Sequence, residues 1–557
     1  MPTPPQTSTV DARITEMTAL YSSPKACAAQ LLCDARDPQD LAYRVVAADL
    51  SWRDISYGEL RMESERFAAV LRSLGVDRGD RVATLMGKSR NYLVTLMAIW
   101  RLGAVHLPLF TAFAPSAIAY RLKGSGARVV VCDAVQLPKL APGDDIPADA
   151  PWRVVTLGAA SGEALAFDAL MAEAEPGLEA VTVGGDAPMI HIYTSGTTGN
   201  PKGVVVPLRA LAAFHSYAEF GHGLRPDDMF WCAADPGWAY GLYFGILATF
   251  LTGTRSVLFE GGFSAEKTMA ILEQHGVTNF AAAPTVYRSL RSAGDGAPAN
   301  LRLRHASSAG EPLTPDVNAW AEQALGVAVH DHYGQTEAGM LINNHHNPSV
   351  ARPLKAGSMG VAMPGWTATV LQEQADIEVG PDEIGRVAMI VAQSPVAWFN
   401  GYHGDPAKTA EKFTADGRYY LTGDTGHFDK DGYFYFSARD DDVILMAGYR
   451  IGPFEVESAI LSHPAVAEAA VIAVPDEVRG EVIEAYVVLR DGHEGSAEVE
   501  RDIQQWVKTR YAAHAYPRSV HFAPSLPKTP SGKVQRFALK QQRMQDIAAA
   551  AAGVAGA

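Results

Sequence analysis

The chain has 557 residues, 48% of them hydrophobic and 20% charged. At roughly 100–200 residues per domain that length calls for two or more cores, and the composition excludes a disordered chain. With 47 Lys and Arg against 62 Asp and Glu, the net charge of −15 excludes a protein built to coat nucleic acid.

The first ten residues, MPTPPQTSTV, lack the basic and apolar regions of a signal peptide and read as a flexible leader. Tyr57–Leu74 has helical spacing, Arg81–Met86 reads as a short buried strand, and Asn91–Leu102 as a helix stopped at Gly103. Val105–Leu109 and Arg128–Cys132 are strand-like, and Pro138–Pro151 reads as a surface loop. This alternation predicts an α/β domain on a largely parallel sheet, and it resumes from Ala187 to about Ile390. Near Tyr420 the pattern changes: Gly423, Gly426 and Gly432 cluster with Asp424, Asp429 and Asp431, and the acidic run Asp440–Asp442 follows. Beyond it a helix over Pro453–Leu461, strands over Ala469–Val474 and Ala485–Val488, and a helix over Ala497–Tyr511 predict a compact α+β unit. The expected division is therefore 1–440 and 441–557. From Ala548 the sequence is almost all Ala and Gly and reads as a frayed tail. Four cysteines (Cys27, Cys33, Cys132, Cys232), none in a C-x-x-C pair, read as reduced thiols. No apolar stretch is long enough to span a bilayer. We expect a cytoplasmic protein with no nucleic-acid partner and no stable membrane anchor, a monomer or a homo-oligomer.

Residues 193–203 read YTSGTTGNPKG and follow the strand-like Met189–Ile192. Three glycines and four hydroxyl side chains fall between Thr194 and Gly203. Glycines let backbone N–H groups turn toward one point, hydroxyls add donors and Lys202 adds a point charge, so the loop can wrap a polyphosphate. It is not the Walker pattern, because Gly196 and Gly199 are too close and Pro201 precedes the lysine.

This segment resembles the phosphate loop of the adenylate-forming superfamily: acyl- and aryl-CoA synthetases, luciferase-type enzymes and the adenylation domains of peptide synthetases. The likeness runs from about Asp40 to Lys540 and is nearest to medium-chain acyl-CoA synthetases. It implies a large α/β N-terminal domain of mostly parallel sheets flanked by helices, with a distorted barrel, and a small mobile α+β C-terminal domain. It also implies ATP, Mg2+ and coenzyme A, and a ligase that joins an acid to a thiol through an acyl-AMP, releasing AMP and pyrophosphate.

The resemblance also assigns residues. Thr194, Ser195, Gly196, Thr197, Thr198, Gly199 and Lys202 would hold the phosphates. Gly310, Glu311 and Pro312 would lie along the adenine, with Asp331, His332, Tyr333 and Gly334 on its other side. Thr336 would touch the α-phosphate and Glu337 would bind Mg2+, which prefers carboxylate and phosphate oxygen. Asp424 would accept the ribose hydroxyls, and Arg439 would reach ribose or phosphate. Asp441 matches the hinge, and Gly448, Tyr449 and Arg450 match the segment that meets coenzyme A. Lys533, in Pro527-Lys-Thr-Pro-Ser-Gly-Lys533, would reach the carboxylate and α-phosphate during adenylation. One departure stands out: Leu208 lies near the place where many relatives carry a His at the acyl pocket.

Trp238, Ala239, Tyr240, Ala309 and Gly334 are the expected acyl pocket. Acetyl-CoA synthetases carry a Trp before the Q-T-E triplet, where this chain has Gly334. Removing an indole opens apolar volume, and each buried methylene is worth about 0.8 kcal/mol, so a medium-chain fatty acid is expected over acetate. Benzoate-type and short-chain acids, and loading of a carrier protein in trans, remain alternatives. The pair His345 and His346, beside Asn343, Asn344 and Asn347, reads as a polar loop rather than a metal site.

Overall fold

The computed structural model describes residues 9–194, 201–294, 300–311, 313, 315–439, 442, 444–446, 449–476, 480–512, 514–529 and 533–554; the side chains at 315–316, 445, 449–450, 480 and 550–554 lie outside that description. Four sheets form among these residues. The first has seven strands; Leu165–Ala166, Arg153–Leu157, Ala127–Asp133, Arg81–Leu85, Val105–Pro108 and Pro188–Tyr193 run parallel, and Gly203–Pro207 adds an antiparallel edge. The second has nine; six parallel strands (Val329–Gln335, His305–Ala309, Asn279–Ala282, Met229–Cys232, Arg255–Phe259, Leu41–Val46) lie between antiparallel edges. Such parallel strands are buried on both faces, which is why Val129–Cys132 and Phe280–Ala282 read as continuous apolar runs.

Local signals set the helices. Tyr57–Ser73 starts from a capping box, in which Ser56 Oγ accepts from the Glu59 N–H at 3.2 Å and the Glu59 carboxylate accepts from the Ser56 N–H at 2.9 Å. That helix buries Tyr57, Leu60, Phe67 and Leu71 on one face. The third sheet is antiparallel, in the order Ala368–Leu371, Gly385–Ile390, Tyr419–Phe428, Phe434–Arg439. Isolated bridges at Gly360–Phe434 and Leu371–Glu378 extend it on both edges.

Residues after 443 pack a core of their own, with Ile444, Val456, Ile460, Val471, Ile483, Val487, Ile503 and Val507 in one cluster. Its sheet pairs Val466–Asp476 with Gly480–Leu489, which also pairs Ile444–Met446 and, in parallel, Ser519–Phe522. The helices Pro453–Leu461 and Ala497–Arg510 cover it. Two terminal expectations are corrected. The leader reading fails at Thr9 and Val10, which already belong to the helix Thr9–Tyr21. The Ala-rich tail is helical as far as Val554, in Arg536–Val554, because alanine has the highest intrinsic helix propensity even without a core pattern. All four cysteines are free thiols in buried positions. No helix among the described residues is long and apolar enough to cross a membrane.

Candidate active site

The strands Pro188–Tyr193, His305–Ala309 and Val329–Gln335 carry their carboxyl ends to one cleft of ≈ 840 Å3, where ligands of open α/β sheets bind. Residues of the small unit, including Lys533 and Arg536, close its other wall. Thr194, Lys202, Gly310, Glu311, Asp331, His332, Tyr333, Gly334, Thr336, Glu337, Asp424, Arg439, Lys533 and Trp238 all line it. Ala239, Tyr240 and Ala309 do not line it; they pack into the apolar core behind. Ser195–Gly199, Pro312, Asp441 and Gly448, and the side chains of Tyr449 and Arg450, lie outside the described residues.

Asp424, 7% exposed, sits in the strand Tyr419–Phe428. The Tyr333 hydroxyl donates to its Oδ2, and Gln335 Nε2 donates to the same oxygen at 2.9 Å. Gln335 is itself fixed: its Nε2 donates to the Thr422 carbonyl at 2.7 Å and its Oε1 accepts from the Tyr420 hydroxyl at 2.9 Å. Burial and the Asp424 charge push the Tyr333 phenol well up, so it stays a donor. Arg439 Nε lies 4.0 Å from Asp424 Oδ1. This end of the cleft thus presents an oriented carboxylate and a guanidinium.

Gly310 has φ +99°, a conformation open to glycine, and Glu311 pairs with Arg288 at 2.9 Å. Burial pushes the Asp331 carboxyl up to about 7, against the Leu313 N–H that it accepts at 3.4 Å. His332 donates from Nε2 to the Asn344 carbonyl at 2.9 Å, so its Nδ1 accepts from Tyr217 at 2.6 Å.

Glu337 Oε1 accepts from the Tyr402 hydroxyl at 2.7 Å, and Lys202 Nζ stands 4.9 Å from the Tyr402 ring centre. The Thr194 N–H donates to the Lys202 carbonyl at 2.9 Å, closing the base of the loop between them. Lys412 Nζ donates to the Thr422 and Leu421 carbonyls at 2.8 and 3.2 Å. Burial lowers this ammonium, Glu337 and Asp424 oppose that, and Lys202 and Arg439 add to it.

Lys533 comes from the opposite wall. Its Cε lies 3.7 Å from where a Cβ on Gly310 would stand. The turn that carries it is pinned by Thr529 N–H to Lys533 O at 2.7 Å and Lys533 N–H to Thr529 Oγ1 at 3.1 Å. The residue keeps solvent access, and the crowding of the cleft still lowers its ammonium; Glu311, Asp424 and Glu337 oppose the shift and Arg439 adds to it.

Trp238 packs on Phe110 and Phe113, with ring centres 5.3 and 5.6 Å away. Gly334 lines the same cleft, but a Cβ there would meet Gly339 O at 2.3 Å and Met340 Sδ at 2.6 Å. That vector points at the neighbouring strand, so the glycine is required by the close hairpin, and no side chain at this position narrows the cleft.

Gln335, Tyr402, Lys412 and Arg121 are cleft residues that the motif reading omits. Gln335 was adjacent to the motif and legible from it; the other three lie in segments with no chemical pattern. His345 and His346 follow the strand Gly339–Asn343 in a loop, as read, and that loop is buried: they are 3% and 6% exposed. His330, His332 and His346 bring ring nitrogens within 4.8 Å of one another. The His330 and His346 rings stack at 3.7 Å and 15°, which holds their lone pairs in near-parallel planes. His330 and His332 both bond the Asn344 carbonyl, and His346 meets Ser307 and the Ala306 carbonyl. These contacts make the group an internal polar layer behind the adenine end.

A cleft with an oriented carboxylate at one end, Thr194 and Lys202 at another and a lysine brought in from the opposite wall suits a charged ligand such as a nucleotide. The AMP-binding enzyme family matches residues 34–403, and the AMP-binding enzyme C-terminal domain matches 455–533. The acetyl-coenzyme A synthetase of Bacillus subtilis is 38% identical over 494 residues, 87% of this chain and 84% of its own. The mitochondrial acyl-coenzyme A synthetase ACSM3 of Mus musculus is 33% identical over 513 residues, 89% of this chain and 84% of its own. The crystal structure of Brucella canis acyl-CoA synthetase superposes with a TM-score of 0.75 at 43% identity, over 96% of this chain and 98% of that one. The chain belongs to the AMP-binding enzyme family and is an AMP-forming acyl-CoA synthetase. Its substrates are ATP, coenzyme A and a carboxylic acid, with Mg2+.

Proposed function

We propose that this synthetase activates a medium-chain fatty acid, in the cytoplasm, with one cleft serving two half-reactions. In the first, a carboxylate oxygen attacks the α-phosphorus of ATP and pyrophosphate leaves, giving the acyl-AMP. Such chemistry is mostly positioning and charge neutralisation. Asp424 and Arg439 hold the ribose, Gly310, Glu311 and Asp331 flank the adenine, and Thr336 contacts the α-phosphate. Glu337, oriented by the Tyr402 hydroxyl, would hold Mg2+, which would supply charge neutralisation on the polyphosphate. Arg121 faces the pyrophosphate end with Lys202: it is 5% exposed, lines the cleft and has no carboxylate partner among the described residues. A buried cation of that kind suits an anionic ligand. Lys533 stabilises charge at the α-phosphate as the acyl oxygen attacks.

In the second half-reaction the coenzyme A thiol attacks the acyl carbon and AMP leaves. Lys533 stands over Gly310 on the approach to the nucleotide, so we propose that the unit 441–557 swings about Asp441 to withdraw it and to bring Gly448, Tyr449 and Arg450 toward the thiol.

The observation that supports the chain length is the apolar surface of Phe113 and Trp238 on the cleft wall, against which an alkyl chain would be buried. An aromatic acid is the second reading, favoured by the ring cluster Phe110, Phe113 and Trp238, against which an aryl group could stack. Pyrophosphate release with Mg·ATP, with and without coenzyme A, across acetate to decanoate, isobutyrate and benzoate tests both. A coenzyme A-dependent maximum at medium length supports the proposal; a maximum at acetate or propionate refutes it, and one at benzoate selects the second reading.

A further inference from the structure

In the nine-stranded sheet, His305–Ala309 and Val329–Gln335 carry their carboxyl ends to the nucleotide cleft. The opposite, amino-terminal edge of that sheet borders a second cavity of ≈ 300 Å3, which nothing in the synthetase reaction uses. Arg255 opens the strand Arg255–Phe259, Thr278 precedes Asn279–Ala282, Arg302 precedes His305–Ala309, and His275 follows the helix Ala265–Gln274. Arg44 and Asp227 complete the polar lining.

The charges there are incompletely matched. Arg44 is satisfied by Asp54 through two bonds of 2.7 and 2.8 Å. Arg255 Nη2 donates to the Asp227 backbone carbonyl at 2.6 Å, while its Nε is buried and unpartnered. Arg302 is exposed and has no hydrogen bond or ion pair among the described residues. Against these two guanidiniums the lining offers one carboxylate, Asp227, which is exposed. His275 is 6% exposed, and neither of its ring nitrogens has a partner. A buried polar group in that condition costs roughly 1–3 kcal/mol unless a ligand or water satisfies it. The Trp52 ring packs edge-on against it at 5.2 Å.

We infer that this edge of the sheet holds a second binding site, for a small phosphate-bearing anion. Guanidinium groups match tetrahedral oxyanions better than any other side chain. Burial and the nearby Arg44 lower His275, so its imidazole is neutral, with one N–H donor and one acceptor nitrogen. A hydrogen phosphate complements that pair, because it carries both anionic oxygens and an O–H. A sulfate offers no such donor. The cavity lies at the lower limit of small-molecule sites, about 300 Å3, which fits phosphate or pyrophosphate and leaves no room for ATP or coenzyme A. The five residues of His305–Ala309 separate it from Gly310 by roughly 16 Å at ~3.3 Å per residue, so the two sites do not overlap. The inference does not depend on which acid the enzyme activates.

The test is calorimetric titration of the full-length protein with inorganic phosphate, pyrophosphate and sulfate while a saturating non-hydrolysable ATP analogue fills the nucleotide cleft, its polyphosphate end included. We expect one saturable phosphate or pyrophosphate site per chain, at least fivefold weaker in Arg302→Ala and partly restored in Arg302→Lys, with sulfate weaker than phosphate. Which of the two phosphates binds more tightly identifies the source of the anion. Arg302 is exposed, so its variants leave the fold intact. Absence of a saturable site, or uptake that Arg302→Ala leaves unchanged, overturns the inference. Sulfate binding as tightly as phosphate overturns the phosphate assignment.

Discussion

Replacing Arg121 with methionine tests the polyphosphate end of the cleft. The guanidinium is 5% exposed and donates from Nη1 to the Ala117 carbonyl at 2.8 Å. It lies 4.1 Å from the Phe113 ring centre and 5.7 Å from that of Tyr193, the residue before the phosphate loop. Burial pulls it down to about 10, the sign of a cation short of counter-charge. A hydrogen bond to a charged partner contributes about 1.5–3 kcal/mol. Losing it should weaken ATP binding roughly 10- to 150-fold. AMP lacks the β- and γ-phosphates, so its affinity should change little. In the unliganded protein the substitution removes a desolvated charge and also a cation–π contact worth about 0.5–2 kcal/mol. The two effects oppose each other, so stability should move by no more than about 1 kcal/mol, less than most core substitutions. Calorimetry with ATP and with AMP, together with thermal unfolding of both proteins, reads all three quantities. If ATP and AMP weaken equally, or neither weakens, Arg121 does not face the pyrophosphate.

Lys533→Ala should lower acyl-AMP formation by roughly 10²–10³-fold, as loss of a transition-state charge contact does, while leaving thioester formation from supplied acyl-AMP within a few-fold; equal loss of both half-reactions would sink the alternation of the small unit. Tyr402→Phe removes the donor to Glu337 Oε1 and should raise the Mg2+ concentration for half-maximal nucleotide binding about fivefold, the equivalent of about 1 kcal/mol. An unchanged Mg2+ dependence in a folded variant would show that the hydrogen bond does not orient the carboxylate. Asp331 stands up to about 7 in the folded chain against an ordinary 3.8. Between those values folding takes up a proton, so its contribution is complete below about 4 and is lost as pH rises through about 7. Asp331→Asn should therefore shift the pH slope of unliganded stability between pH 5 and pH 7 toward positive values. Glu455, which burial also pushes up to about 7, and buried histidines such as His332 and His346, which burial lowers and which make stability rise with pH, contribute equally to both proteins. Identical slopes in the two proteins would show that Asp331 does not carry the effect.

Much of the fold was legible because burial leaves a pattern. Arg81–Leu85 and Ala127–Asp133 read as short strands since both faces are covered, and the helix Pro453–Leu461 carries its own proline start. Thr9, Val10 and the Ala-rich tail misled because neither stretch carries a core pattern, although the first two open one helix and local propensity sustains another to Val554. The candidate site divides along the same line. Lys202, Glu337 and Lys533, in turns and loops, and Asp424, in a strand, sit in glycine-containing motifs, where the backbone must approach a ligand closely, and such motifs are visible in one dimension. Tyr402, Lys412 and Arg121 reach the cleft by packing: Tyr402 from an isolated bridge to Val204, Arg121 from a helix pressed against Tyr193. Nothing in their own segments marks them.

Gly334 shows how the two kinds of signal can be confused. From sequence, a glycine in place of a tryptophan reads as space. In the fold it is first a consequence of the register shift between Tyr333 and Gly334, where the strand comes so close to Gly339 that a Cβ would lie 2.3 Å from its carbonyl oxygen. A bulky residue at 334 therefore requires a different hairpin, not merely a fuller pocket. The length of acid that fits must then be set by the residues whose side chains do face the cleft, Phe113 and Trp238 among them. Enlarging Phe113 to tryptophan should shorten the preferred acid, whereas Gly334→Ala should cost stability before it changes the preference.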